Sequence, residues 1–166
     1  MLTAELAFAD SQLLVGERSA LYRAPLYTIT QQHIDQGFVR SPDMCNFSMT
    51  NSYGYAKISV YLENSDEFGS ELFDWLIATT LMISSDCLLL MTTPDGEELE
   101  VPVEPGLYRI TFGRRVVISS DCELEEEEQP IEAVSILLTR TTSVEPSQVL
   151  IAPKDAKLPE PLLEDS

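Results

Sequence analysis

Hydrophobic and polar positions alternate in short runs along the chain, most clearly over Tyr55–Glu63. Ala56, Ile58, Val60 and Leu62 share one side there, and Tyr55, Lys57, Ser59, Tyr61 and Glu63 the other. A period of two predicts a strand half buried against a core. Leu107–Phe112 repeats the pattern, with Leu107, Arg109 and Thr111 opposite Tyr108, Ile110 and Phe112. Cys87–Thr92 and Glu97–Val103 flank Thr93-Pro94-Asp95-Gly96. Pro-Asp-Gly between extended runs predicts a hairpin, because Asp and Gly tolerate the backbone angles of the turn. Glu5–Ala9 and Gln12–Gly16, separated by Asp10-Ser11, predict an opening hairpin. Phe73–Ile83 has helical length, but its Ile, Thr, Phe and Trp content favours a strand. Cys45–Thr50, Val116–Ser119, Ile131–Thr142 and Gln148–Ala152 complete the predicted strands.

Thr28–Gly37 is the one predicted helix. Thr28 or Thr30 suits its N-cap and Gly37 a left-handed C-cap. Ile29 and Ile34 are expected on one side, with His33 beside them. Residues 17–27 and 64–71 are expected loops, and Asn51-Ser52-Tyr53-Gly54 a turn. Many short strands with one short helix predict a mainly β fold: an antiparallel two-sheet β-sandwich over residues 1–152. Residues 153–166 are rich in Pro, Lys, Glu and Asp and lack a folding pattern, so a mobile tail is expected. No internal repeat is visible, which disfavours propellers and solenoids.

Composition sharpens this picture. Of 166 residues, 44% are hydrophobic, which fits one folded domain with a core. The formal net charge is -18, from 28 acidic and 10 basic side chains. Such a surface repels a phosphate backbone and anionic lipid, so neither nucleic acid nor a membrane is the expected direct partner. It favours encounters with cationic proteins. No basic leader with an apolar core opens the chain, and no apolar run approaches the ~18 residues of a membrane span. Cys45, Cys87 and Cys122 form a sparse, odd set without CxxC spacing. Reduced thiols in a cytoplasmic protein are the expectation.

The chemistry-bearing residues are few. His33 is the only histidine, no nucleophile elbow accompanies it, and it is expected to be structural. The seven glycines are scattered, unlike a phosphate-binding loop. No catalytic residue, metal site or cofactor is assigned. Ser65-Asp66-Glu67 and Thr93–Glu98 offer oxygen ligands for calcium without EF-hand spacing, which leaves a calcium-dependent carbohydrate-binding module as an alternative. A glycosidase carboxylate pair needs an enclosed aromatic cleft, and the single Trp75 fits a core position better.

The most unusual segment is Asp121-Cys122-Glu123-Leu124-Glu125-Glu126-Glu127-Glu128. Asp121–Glu132 holds seven carboxylates and no basic residue. Crowded carboxylates repel one another and add nothing to internal stability. Either the segment is a solvated loop or it is a ridge that docks on Lys and Arg. Asp121, Glu123, Glu125, Glu126, Glu127 and Glu128 are therefore the candidate partner-binding residues, joined by Glu97, Glu98 and Glu100 on the hairpin edge. Residues 84–166 carry 6 basic and 18 acidic side chains, net -12, against 4 and 10, net -6, in residues 1–83.

The order of motifs resembles the DNA-entry nuclease inhibitor family, also called competence protein J. The resemblance rests on Ile34-Asp35-Gln36-Gly37-Phe38, Phe47-Ser48-Met49 and Ala56–Asn64. Leu99-Glu100-Val101-Pro102-Val103 and Pro105-Gly106-Leu107-Tyr108-Arg109-Ile110 follow. It spans about residues 5–140. The glutamate run and the Pro-rich tail depart from the family pattern, and no inhibitory residue maps onto this chain. The resemblance implies a cytoplasmic bacterial protein that binds a nuclease and blocks its DNA site, without chemistry of its own. A general β-sandwich adaptor is the competing reading, and both are compatible with a homo-oligomer.

Overall fold

The computed structural model describes residues 1–9, 11–23, 29–51, 53, 54–63, 68–69, 72–92, 97–117, 131–160 and 162–163. These form β1 (Leu2–Ala9), β2 (Gln12–Gly16), α1 (Arg18–Leu21), α2 (Gln31–Gln36), β3 (Phe38–Ser41), β4 (Met44–Ser48) and β5 (Tyr53–Leu62). They continue with β6 (Trp75–Ile83), β7 (Cys87–Met91), β8 (Glu98–Pro102), β9 (Gly106–Val117), β10 (Ile131–Thr141) and β11 (Gln148–Ile151). One sheet has six strands in the order β1-β5-β10-β9-β6-β11, and the other five in the order β3-β4-β2-β7-β8. The predicted two-sheet, mainly β architecture is what the chain adopts.

The core lies between the sheets. Ala56, Ile58 and Val60 from β5, Tyr108, Ile110 and Phe112 from β9, and Val134, Ile136 and Leu138 from β10 face inward. Leu13 and Val15 from β2, Phe47 from β4, and Leu88 and Leu90 from β7 meet them. Phe47 and Phe112 stack across the interface with ring centroids 4.3 Å apart, so one aromatic pair ties the two layers. Trp75 joins the same core, as its residue type suggests.

Several expectations are corrected. β1 and β2 do not pair with each other: β1 pairs with β5 in one sheet, and β2 with β4 and β7 in the other. The chain therefore passes from one layer to the other between β1 and β2, with Ser11 at a positive φ of 57°. The expected Asp10-Ser11 turn includes Asp10, which lies outside the described residues. Most pairings are antiparallel, but β10 runs parallel to β5. The predicted loop 17–27 contains α1, so the described residues hold two short helices where one was expected. Leu107–Phe112 and Val116–Ser119 are not separate runs; Gly113, Arg114 and Arg115 carry β9 through to Val117. β3 was not foreseen. In β5 the alternation slips at its end. Tyr61 is buried against Phe68, Leu62 is exposed, and Glu63 turns the chain with φ 45°.

α2 begins and ends at foreseen residues, but it turns a different face inward. Thr30 caps it by accepting the His33 amide, while His33 Nδ1 accepts the Thr30 amide at 3.1 Å. That bond places the ring proton on Nε2 and makes His33 part of a capping box. Gly37 closes the helix at φ 82°, with the Trp75 ring only 3.1 Å from where a Cβ would stand. Ile29 and Ile34 are exposed, whereas His33 and Gln36 are buried. Gln36 donates to the Phe38 and Leu163 carbonyls and accepts the Leu163 amide at 2.9 Å. Ala156 and Leu162 pack on the main core beside that clip.

Candidate functional site

β9 and β10 are antiparallel neighbours whose paired ends are Val117 and Ile131. The acidic run lies in the sequence between them. Asp121, Glu123, Glu125, Glu126, Glu127 and Glu128 thus fall outside the described residues, as do Cys122 and the loops at 64–67 and 93–96. Ala7, Tyr55, Ile131 and Val117 are successive register partners across β1, β5, β10 and β9.

The hairpin carboxylates reach this end of the molecule from the other sheet. Glu97 accepts the Ala7 amide at 3.2 Å, and Thr92 Oγ1 donates to the Ala7 carbonyl at 2.6 Å. Ala7 and Ile131 are two strand spacings apart, about 10 Å. The two acidic segments singled out in the sequence therefore have described flanks at the same end of the sandwich. Glu98 and Glu100 lie on the outer side of the five-stranded sheet. Arg18 Nη2 bonds Glu98 at 2.8 Å and Glu100 at 2.7 Å, and the Tyr22 hydroxyl also donates to Glu98. Two carboxylates share one guanidinium, so this trio keeps a surplus negative charge.

Glu132 belongs elsewhere than its place in the acidic segment suggests. It is fully buried and accepts the Thr50 amide at 3.1 Å and the Asn51 amide at 2.8 Å. Asn51 Nδ2 adds a third bond at 3.2 Å. Arg114 stands 3.9 Å away, donates to the Thr50 hydroxyl, and lies over the Trp75 ring at 5.5 Å. Burial draws the Arg114 pKa below its ordinary value, opposed by Glu132 and then Asp74. These residues plug the core where β9 and β10 leave it. Strand parity was the available signal. Glu132 shares a side with Val134, Ile136 and Leu138, and Arg114 with Tyr108, Ile110 and Phe112.

Three further arginines are also engaged: Arg23 with Asp43, Arg109 with Glu145 and Arg140 with Glu104. Internal pairing consumes cations and leaves the excess of carboxylates unneutralised. A cavity of about 430 Å³ on the five-stranded sheet is lined by Ile29, His33, Ile34, Val39 and Met49 among others. Its His33 is committed to the helix cap. Among the described residues no cluster of three His, Cys, Asp or Glu could hold a metal ion. No described helix is long and apolar enough to cross a membrane.

On the outer face of the six-stranded sheet the last register row is uncharged, and the next one carries Glu5, Lys57 and Arg115. Tyr53 is 60% exposed and Tyr55 39%. Ile131 is half-buried and Val117 exposed. Sequence reading passed over the two tyrosines as turn and strand residues. Their outward parity in the Tyr55–Glu63 alternation was the signal for them.

No curated protein matches the chain in sequence. In fold it is similar to the crystal structure of ComJ from Bacillus subtilis, inhibitor of the DNA degrading activity of NucA. That likeness has a TM-score of 0.59 at 14% identity and covers 83% of this chain and 96% of that one. The crocagin biosynthetic gene J protein is similar with a TM-score of 0.46 at 17% identity, over 82% of this chain and 98% of that chain. The family model for competence protein J (ComJ) matches residues 5–137. The chain belongs to the competence protein J family.

Proposed function

We propose that this protein is a non-catalytic inhibitor that binds a nuclease and covers its DNA-binding surface. The observation that carries this reading is the family match over residues 5–137, whose member of known structure inhibits a DNA-degrading nuclease. The charge supports it independently. A surface that holds DNA is basic, and a chain of net charge -18 is complementary to it. Asp121, Glu123 and Glu125–Glu128 supply the negative ridge in this reading. Glu97 supports its flank, and Glu98 and Glu100 add the surplus charge left over by Arg18. Occupying the groove suffices, so the inhibitor performs no bond chemistry. The sparse, odd set of three cysteines without CxxC spacing supports a reducing compartment, the cytoplasm.

The test is a DNA-digestion assay with a NucA-type nuclease from the same genome. Addition of this protein at equal concentration is expected to protect the DNA, less so as salt rises. Reversing Glu125, Glu126, Glu127 and Glu128 to Lys is expected to abolish protection. Undiminished digestion at low salt with the unaltered protein would sink the reading.

A further inference from the structure

We infer that Tyr53 and Tyr55 form an aromatic anchor for the nuclease's cationic DNA-binding surface, distinct from the carboxylates that attract it. The inference rests on the inhibitor reading and adds where the contact energy resides. The register row Ala7, Tyr55, Ile131 and Val117 carries no charge across four adjacent strands. Tyr53 extends it by one pleat on the same face. The next row on this face, Glu5, Lys57, Ala133 and Arg115, carries charge of both signs, so the tyrosines form a narrow uncharged strip at the end of the sheet.

Its location gives the strip its partner. Glu97 lies against Ala7 at one edge of the row. The chain on either side of the acidic run starts from Val117 and Ile131 within the row itself. A cationic surface drawn to this end meets the tyrosine faces. Arg and Lys pack on such rings through cation–π attraction while their aliphatic stems bury apolar area. Tyr is enriched among residues that dominate interfaces, whereas exposed carboxylates mainly steer encounter. The strip is already built: Tyr55 stands on a strand paired on both sides, and Glu132 fastens the neighbouring Thr50 and Asn51 amides. Little conformational freedom is then lost on binding.

Binding of the Tyr53→Ala/Tyr55→Ala double variant to the NucA-type nuclease of the same genome tests this, at low and high salt. A circular-dichroism melt controls for folding, and Tyr53→Phe/Tyr55→Phe controls for the ring. The Ala variant is expected to bind at least about tenfold more weakly by the same factor at both salt levels, and the Phe variant nearly normally. Unchanged affinity of a folded Ala variant, alongside loss on reversal of the glutamates, overturns the anchor and leaves the inhibitor reading standing. Absence of any binding by the unaltered protein removes both. Free protein that is dimeric, and becomes monomeric on the Ala substitutions, would assign the strip to a second copy and also overturn the inference.

Discussion

Two groups of carboxylate and arginine can be set side by side: Glu132 with Arg114, and Glu98 and Glu100 with Arg18. The first is buried at the end of the core and holds backbone amides of the β4–β5 connection. The second lies open on the five-stranded sheet. Their chemistry is the same and their surroundings are opposite. In the interior each charge has given up its hydration, so every lost bond leaves an uncompensated group. On the surface water and salt replace whatever is removed. The excess negative charge of this protein therefore has two uses, one architectural and one outward, and sequence position alone does not separate them.

The sharpest way to break the contrast is Glu132→Ala. It strands Arg114 and leaves the Thr50 and Asn51 amides without their acceptor. A loss of about 3–5 kcal/mol is expected in urea unfolding. Arg114→Met should cost less, about 1–3 kcal/mol, because Glu132 keeps its three N–H donors and the methionine still covers Trp75. A larger loss than for Glu132→Ala would reverse the order argued here.

Arg18→Ala is expected to leave the melting temperature nearly unchanged and its salt dependence weaker. Cys87 offers a finer readout. Burial raises its thiol pKa first, and Glu100 raises it further, while Arg18 lowers it. Without Arg18 the pKa rises again, less thiolate is present at mildly alkaline pH, and alkylation of Cys87 slows. Arg18→Lys should restore the rate. Faster alkylation in Arg18→Ala would show that access, not charge, governs the site.

How much was legible follows the same division. Elements fixed by local chemistry were readable. β5 showed its period, β7 and β8 paired as the sequence between them predicts, and α2 showed its Thr30 and Gly37 caps. Failures came where distant parts of the chain decide. Asp10-Ser11 reads as a hairpin turn, but only the competing partners β5 and β4 reveal that β1 and β2 belong to different sheets. Gly113-Arg114-Arg115 looks like a strand break. Yet a Cβ at Gly113 would lie 2.5 Å from the Phe73 ring, and Arg114 answers a buried glutamate. For the candidate site, the acidic hairpin edge was legible as charge. Its engagement with Arg18 was not, because the partner lies 80 positions away. The tyrosine strip joins four strands and is invisible to any single run.

The parallel pairing of β5 with β10 also predicts that this strip is completed late in folding. The β9–β10 hairpin and the β1–β5 pair each close an antiparallel ladder of their own. Parallel alignment of Tyr55 with Ile131 needs chain segments far apart in sequence to meet, a slow step in folding. Only at that step do Ala7, Tyr55, Ile131 and Val117 become neighbours. An incompletely folded chain could carry every glutamate, and attract cations, before it had a surface able to hold them.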